Sequence, residues 1–226
     1  MIATSRRGFL ATSAALTVAA LPRVSLAAAC DRPPLGKIVY RVLRKGDPLG
    51  EHVATFRRDG DDLVVTNDIE LVAKILGIPV YRYEHRNEEI WRDGALQAVS
   101  SHTNKDGKKF DLTAERRGGT LHVKGRKGEL ALDGDVLTTS LWHPETPNAK
   151  QLLDIEDGVV KAVSGTMTGR ERVPGPNGKR PAKHYRIDGD MTRELWYDAG
   201  CRLLRVEFDT KKDGSRIVLE PTTIEA

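Results

Sequence analysis

The sequence predicts an all-β chain: a large curled antiparallel meander, a half-barrel or open barrel, with at most one or two short helices. Three observations carry this. Asp-Gly occurs seven times, at 59–60, 93–94, 106–107, 133–134, 157–158, 188–189 and 213–214. Between alternating apolar residues this dipeptide is a strong hairpin signal, because both residues tolerate positive φ. The segments between are rich in Val, Ile, Thr, Tyr, Phe and Leu, which suit a pleated, half-buried surface. Helical signal is scarce, and no Rossmann fingerprint, P-loop or βαβ alternation is present.

Taken in order, strands are expected near 37–45, 50–58, 62–72, 79–92, 95–104, 108–117, 120–125, 128–132, 135–142, 158–170, 181–188, 190–198, 201–210 and 215–221. Gly118-Gly119 and Asn177-Gly178 supply two further turns. Asn148 to Leu153 is compatible with one or two helical turns capped by Thr146 or Asn148, and Leu71 to Leu76 has a brief helix-compatible pattern. A meander this long must curl, because twist accumulates strand by strand. Its buried face is then filled by closure, by a second layer or by a ligand.

The first thirty residues differ in kind. Ser5-Arg6-Arg7-Gly8-Phe9-Leu10 precedes an uncharged run from Ala11 to Leu21, and Ala27-Ala28-Ala29 follows. That is a charged head, a short apolar core and a small-residue cleavage site. The paired arginines with Phe9-Leu10 resemble the twin-arginine (Tat) export signal. The resemblance implies a bacterial protein that the Tat translocase carries folded into the periplasm, with 1–29 as signal peptide and 30–226 as a single β-rich domain. Arg6, Arg7 and Arg23 are the only charges in 1–29, so the 36 basic side chains of the whole become 33 against 32 acidic ones. Nucleic-acid binding is therefore not expected. Cys30 directly follows the cleavage site. It is lipidated, free, or bonded to Cys201, and membrane contact is expected only in the first case.

Two stretches suggest a site. Ile69 to Tyr81 is the most apolar part of the chain after the leader, interrupted by Gly77 and Pro79. It reads either as a bent core strand or as an apolar flap at the mouth of the curled sheet. From Tyr81 to Trp91 the residues alternate. Tyr81, Tyr83, His85, Asn87, Glu89 and Trp91 fall on one face, and Arg82, Glu84, Arg86 and Glu88 on the other. The first set suits a pocket lining or a wet core edge. A two-residue Asp93-Gly94 loop sets His85 opposite His102, whereas a three-residue Arg92-Asp93-Gly94 loop sets it opposite Ser101. The second fits better, so the two histidines are not expected to share a metal. No nucleophile elbow or other catalytic constellation is present, so no catalytic residue, metal site or cofactor is nominated.

With those residues in hand, two resemblances can be stated. The export signal, Tyr40-Arg41-Val42 with Gly50, Tyr81-Arg82-Tyr83-Glu84-His85 and Leu195-Trp196-Tyr197-Asp198 resemble an uncharacterised family of exported proteobacterial proteins. More distantly, the layout resembles periplasmic lipoprotein-carrier half-barrels of the LolA/LolB type. That resemblance implies a curved sheet holding acyl chains, although this chain has little helix with which to plug one. The expected function is a non-enzymatic periplasmic protein holding an apolar or amphipathic, lipid-like molecule. Ile75, Leu76 and Ile78 would line or gate the cavity, and Tyr81, Tyr83, His85 and Trp142 would supply shape and hydrogen bonds. The alternative is a structural or partner-binding envelope protein without a cavity.

Overall fold

The computed structural model describes residues 35–225. The leader and Cys30 lie outside the described residues. Fifteen strands follow in sequence: β1 (Gly36–Arg44), β2 (Asp47–Asp59), β3 (Asp62–Ile75), β4 (Ile78–Arg92), β5 (Ala95–Lys105), β6 (Lys108–Arg117), β7 (Thr120–Gly125), β8 (Gly128–Asp133), β9 (Leu137–Thr138), β10 (Gln151–Leu153), β11 (Val160–Val173), β12 (Arg180–Gly189), β13 (Arg193–Tyr197), β14 (Leu203–Asp209) and β15 (Arg216–Ile224). All belong to one sheet, in the order β8 to β1, then β15 to β9. Every pairing is antiparallel except β9 with β10. The predicted class holds: the chain is all-β, one large curled antiparallel sheet not closed into a barrel.

The curl follows from the connectivity. Flat, fifteen strands about 4.8 Å apart would span roughly 70 Å. Yet β8 and β9, at opposite edges, are joined only by Gly134-Asp135-Val136, which reach at most about 14 Å. The sheet must roll until its two edges come close. They do not pair. Instead the β9–β10 edge tucks inside the first half, like a scroll. Val136, Trp142, Leu153 and Ile155 join the core formed by Phe56, Leu63, Val65, Trp91, Leu96, Val99, Leu112, Leu121 and Val123. A second core, with Leu152, Ile187, Leu195, Tyr197 and Val206, fills the curl of β11–β14.

The turns set the registers. Lys45-Gly46, Asp93-Gly94 and Asp106-Gly107 all have positive φ at both positions, the backbone of a two-residue hairpin whose twist matches the strands. Arg92 thus pairs with Ala95, contrary to the three-residue loop favoured from sequence. A bulge between Ile90 and Trp91 then shifts the ladder, and His85 faces Thr103 rather than Ser101 or His102. His102 pairs with Arg86 and is exposed, its ring on Asp111, so the two histidines point to opposite faces as expected.

Two local expectations fail, and one helix-compatible pattern is not used. The strand expected over 135–142 shrinks to β9, because this segment is the irregular crossover that enters the scroll. The helix expected near 148–153 is a single 3-10 turn at Thr146–Asn148 followed by β10. Its residues are used to pair with β11 and so lie extended. Leu71 to Leu76 is strand and turn, not helix.

The 3-10 turn lies against β11 at Gly165, where an ideal Cβ would sit 2.0 Å from the carbonyl oxygen of Pro147. Gly165→Ala must push that turn off the strand. A loss of about 1–3 kcal/mol in urea-unfolding stability is expected, and a stability equal to the native chain would show that the contact is not needed.

Candidate functional site

The inner face of β4 changes character along its length. Trp91, Glu89, Asn87 and His85 are buried, Tyr83 and Tyr81 are half-buried, and Pro79 is exposed. The alternation read from sequence is present, with Arg82, Arg86 and Glu88 exposed on the other face. Trp91 and Glu89 therefore lie in the sealed core, and Tyr81 marks the open end.

Glu89 is fully enclosed. Its Oε2 accepts from the indole N–H groups of Trp91 at 2.9 Å and Trp142 at 3.0 Å. Its Oε1 accepts from Thr138 Oγ1 at 2.9 Å and Asn87 Nδ2 at 3.2 Å. Burial pushes its pKa up, while these donors, led by Trp142, pull the other way. The carboxyl ties the crossover segment, through Thr138 and Trp142, to the wall of the scroll. Its place is structural, and Trp142, expected to line a cavity, is a core residue packed edge-on against Trp91 and Phe56.

Beside it lies a row of polar side chains with unfinished hydrogen bonding. His52 on β2 bonds Asn67 Oδ1 on β3 through Nε2 at 2.9 Å. Asn67 pairs directly across the ladder with Asn87 on β4. His85 bonds Thr103 Oγ1 on β5 through Nδ1 at 2.7 Å. All four of His52, Asn67, His85 and Asn87 are more than nine-tenths buried. Yet His52 Nδ1, Asn67 Nδ2, His85 Nε2 and Asn87 Oδ1 lack partners. Asn87 approaches His85 without hydrogen-bond geometry. Burial lowers the His52 pKa to about 4 and lowers that of His85 as well, so both rings are neutral at pH 7. With His52 donating from Nε2, its Nδ1 is an acceptor. His85 Nε2 donates or accepts according to which partner donates in the His85–Thr103 bond. The unmet set thus holds a donor in Asn67 Nδ2 and acceptors in His52 Nδ1 and Asn87 Oδ1, which suits an uncharged group that both donates and accepts, such as a hydroxyl, an amide or a water. No group of three or more potential metal ligands occurs among the described residues.

Toward the open end, Tyr83 donates its hydroxyl to Glu156 Oε2 at 3.2 Å, and Lys105 Nζ reaches Glu156 Oε1 at 2.9 Å. Glu156 belongs to the crossover turn, whose Ile155 carbonyl accepts from Ser101. Burial, with Glu156 beside it, drives the Tyr83 pKa well up.

Beyond this point β3 and β4 leave their neighbours, the last link being the Arg82 carbonyl, which accepts from Asp106 N at 2.8 Å. The β2–β3 ladder ends at Gly50 with Leu71, and the β4–β5 ladder ends at Tyr83 with Lys105. Residues 72–82 form a two-stranded arm turning at Leu76-Gly77. Leu76 and Ile78, expected to line or gate a cavity, are exposed at 99% and 67%, and Val80 beside them at 51%. The backbone of Ile75 lies in the same arm, and its side chain is outside the described set. Of the seven residues nominated from sequence, the fold brings Tyr81, Tyr83 and His85 to one face, sends Leu76 and Ile78 to the arm, and puts Trp142 in the core. Asn67, His52 and Thr103 went unnominated, because only the hairpin registers show that they meet His85 and Asn87.

Comparison with known proteins bears on the whole chain. The chain belongs to the DUF6134 family, a domain of unknown function. The match runs over residues 40–222, which takes in the scroll and the polar row. A solved structure similar to this DUF6134 chain is a β-barrel-like protein of the domain of unknown function DUF1849, from Brucella abortus. It is 13% identical, with a TM-score of 0.60, and the match covers 84% of this chain and 97% of that one. That likeness is one of fold. Comparison with curated proteins gives no match.

Two outcomes follow from the buried groups. Glu89→Leu strands two indole N–H groups, a threonine hydroxyl and an amide, and should cost more than about 3 kcal/mol in urea unfolding. Glu89→Gln keeps a carbonyl for the indoles and should cost less than about half as much; equal losses would show that volume, not hydrogen bonding, sets the effect. The His52 pKa is about 4 folded against an ordinary 6.5. Between those values the unfolded chain binds more protons. The stabilisation is therefore full above pH 6.5 and is lost as pH falls toward 4, by about 1.4 kcal/mol per unit. His85 acts in the same sense, and Glu89, with its raised pKa, in the opposite one. His52→Asn should flatten the pH 5 to pH 7 difference in melting temperature, and an unchanged slope would exclude His52 as its source.

Proposed function

We propose that this is an exported, non-enzymatic binding protein that takes an amphipathic, lipid-like molecule with an uncharged head at the open end of the scroll. The polar row carries the reading: four side chains, deeply buried on one face, each present a polar atom without a partner, donor and acceptor both represented. Leaving such groups unpaired costs about 1–3 kcal/mol each, so an occupant that satisfies them is favoured. Beyond the row, Ile69, Leu71, Tyr81 and Tyr83 line the half-buried inner face toward the arm, which suits the apolar part of the molecule. Export to an oxidising compartment is supported by the leader's resemblance to a Tat signal and by the disulfide that Cys201 makes.

A second reading has its own observation. The scroll fills its concave side with its own Val136, Trp142, Leu153 and Ile155, which favours a partner-binding envelope protein whose polar row holds only water. Native mass spectrometry of protein from its own envelope, with titration of a monoacylglycerol and a fatty acid as probes, separates the two. The binding reading expects a bound adduct, and tighter binding of the uncharged monoacylglycerol than of the carboxylate. It also expects about ten-fold weaker binding in His85→Leu, which removes one or two hydrogen bonds. An empty protein indifferent to both probes would leave the second reading.

A further inference from the structure

The arm of residues 72–82 breaks two local rules at once. Its turn has φ +50° at Leu76 and +83° at Gly77, the same geometry as the Asp93-Gly94 and Asp106-Gly107 turns. That first position favours Asn, Asp or Gly, and a leucine there is strained. Packing does not account for it either, since the side chain is 99% exposed. Ile78 and Val80 add to the same patch. These three are clustered within five residues, whereas the other large exposed apolar side chains, Leu35 and Met167, lie apart. A strained, unpacked leucine at the tip of a projecting apolar ribbon has no use inside this fold.

The surroundings indicate what it meets. In an antiparallel meander alternate turns lie at the same end. The β1–β2, β5–β6 and β7–β8 turns therefore share the arm's end. There Lys45, Lys74, Lys108, Lys109, Arg126 and Lys127 are exposed, and none forms an ion pair among the described residues. The acids at those turns are Asp47, Asp106 and Glu129, the last paired with Lys124. At the opposite end Arg57, Arg92 and Arg117 are neutralised by Asp59, Asp62 and Glu115, while Arg58, Arg172 and Lys179 form no ion pair among the described residues. The other half of the sheet brings Asp213 and Glu156 to the arm's end, but Arg44 and Lys105 pair with them, so exposed lysines without an ion pair remain at the turns beside the apolar arm.

We propose that this end docks on an anionic phospholipid surface, the lysines meeting the headgroups while Leu76, Ile78 and Val80 enter the interface. Half-buried Tyr81 and Tyr83 follow behind the tip, where amphipathic rings favour the headgroup level. The entry is shallow. From Val72 to Tyr81 the outer edges of the arm have no ladder partner, and unpaired backbone groups do not enter hydrocarbon. Only the tip leaves water, so the contact is reversible and weakened by salt. This inference goes beyond the ligand reading and stands without it.

Co-sedimentation of the purified protein with vesicles tests it, using phosphatidylcholine alone and phosphatidylcholine mixed with phosphatidylglycerol. Binding is expected on the mixed vesicles at low salt, absent on phosphatidylcholine alone and released at high salt. Leu76→Asn suits the turn better, so the fold and melting temperature are kept or improved while vesicle binding falls more than about ten-fold. The double variant Lys108→Gln and Lys109→Gln should also lose more than about ten-fold. Leu76→Trp should shift its fluorescence to the blue on the mixed vesicles. The proposal is overturned if mixed vesicles fail to bind, if Leu76→Asn binds like the native chain, or if the tip tryptophan shows no shift. It is equally overturned if Leu76→Asn changes only self-association, which would make the arm a contact between copies. None of these results depends on a guest in the polar row.

Discussion

The three residues between β8 and β9 constrain everything else. They join opposite edges of a fifteen-stranded sheet, and a chain of that length cannot cross a flat sheet. Rolling is therefore obligatory, and the second edge must end inside the roll. The apolar residues of the first half are covered by the crossover that causes the roll. The same geometry brings Thr138 and Trp142 to Glu89, where four donors offset the cost of burying a carboxyl. The seam between β1 and β15, paired from Ile38–Ile224 to Arg44–Ile217, joins the two halves into one hydrogen-bonded surface.

Self-filling reshapes the functional question. A half-barrel with an empty trough would hold a large apolar guest along its length. Here the trough is occupied by Val136, Leu153 and Ile155, so the room for chemistry moves to the open end. At that end three features coincide: the polar row with unmet valences, the Tyr83–Glu156–Lys105 contact, and the arm with exposed lysines beside it. The fold likeness to a β-barrel-like protein of a different uncharacterised domain places the architecture and leaves the chemistry to these residues.

Much of the fold was legible because turns and alternation are local. Asp-Gly pairs, Val- and Thr-rich segments and the odd–even split from Tyr81 to Trp91 are decided within a few residues, and the structure follows them. Where the local signals misled, a distant contact had won. Asn148 to Leu153 has helical composition, but β11 offers a ladder at Gln151–Leu153. Ile75 to Val80 has the composition of a core, but no neighbouring strand reaches it. Trp142 was expected to shape a cavity, but Glu89 holds its indole in the core.

Class, turn positions and the sharing of a face are set locally, because two-residue periodicity and positive-φ turns are properties of adjacent residues. Which faces meet is settled by packing at long range. A one-residue bulge at Ile90–Trp91 set His85 against Thr103. Successive registers across β2, β3 and β4 assembled His52, Asn67 and Asn87 beside it. The roll chose what was sealed and what was left in water. Those outcomes depend on cumulative offsets between strands far apart in the chain, where a shift of one residue reverses every side chain.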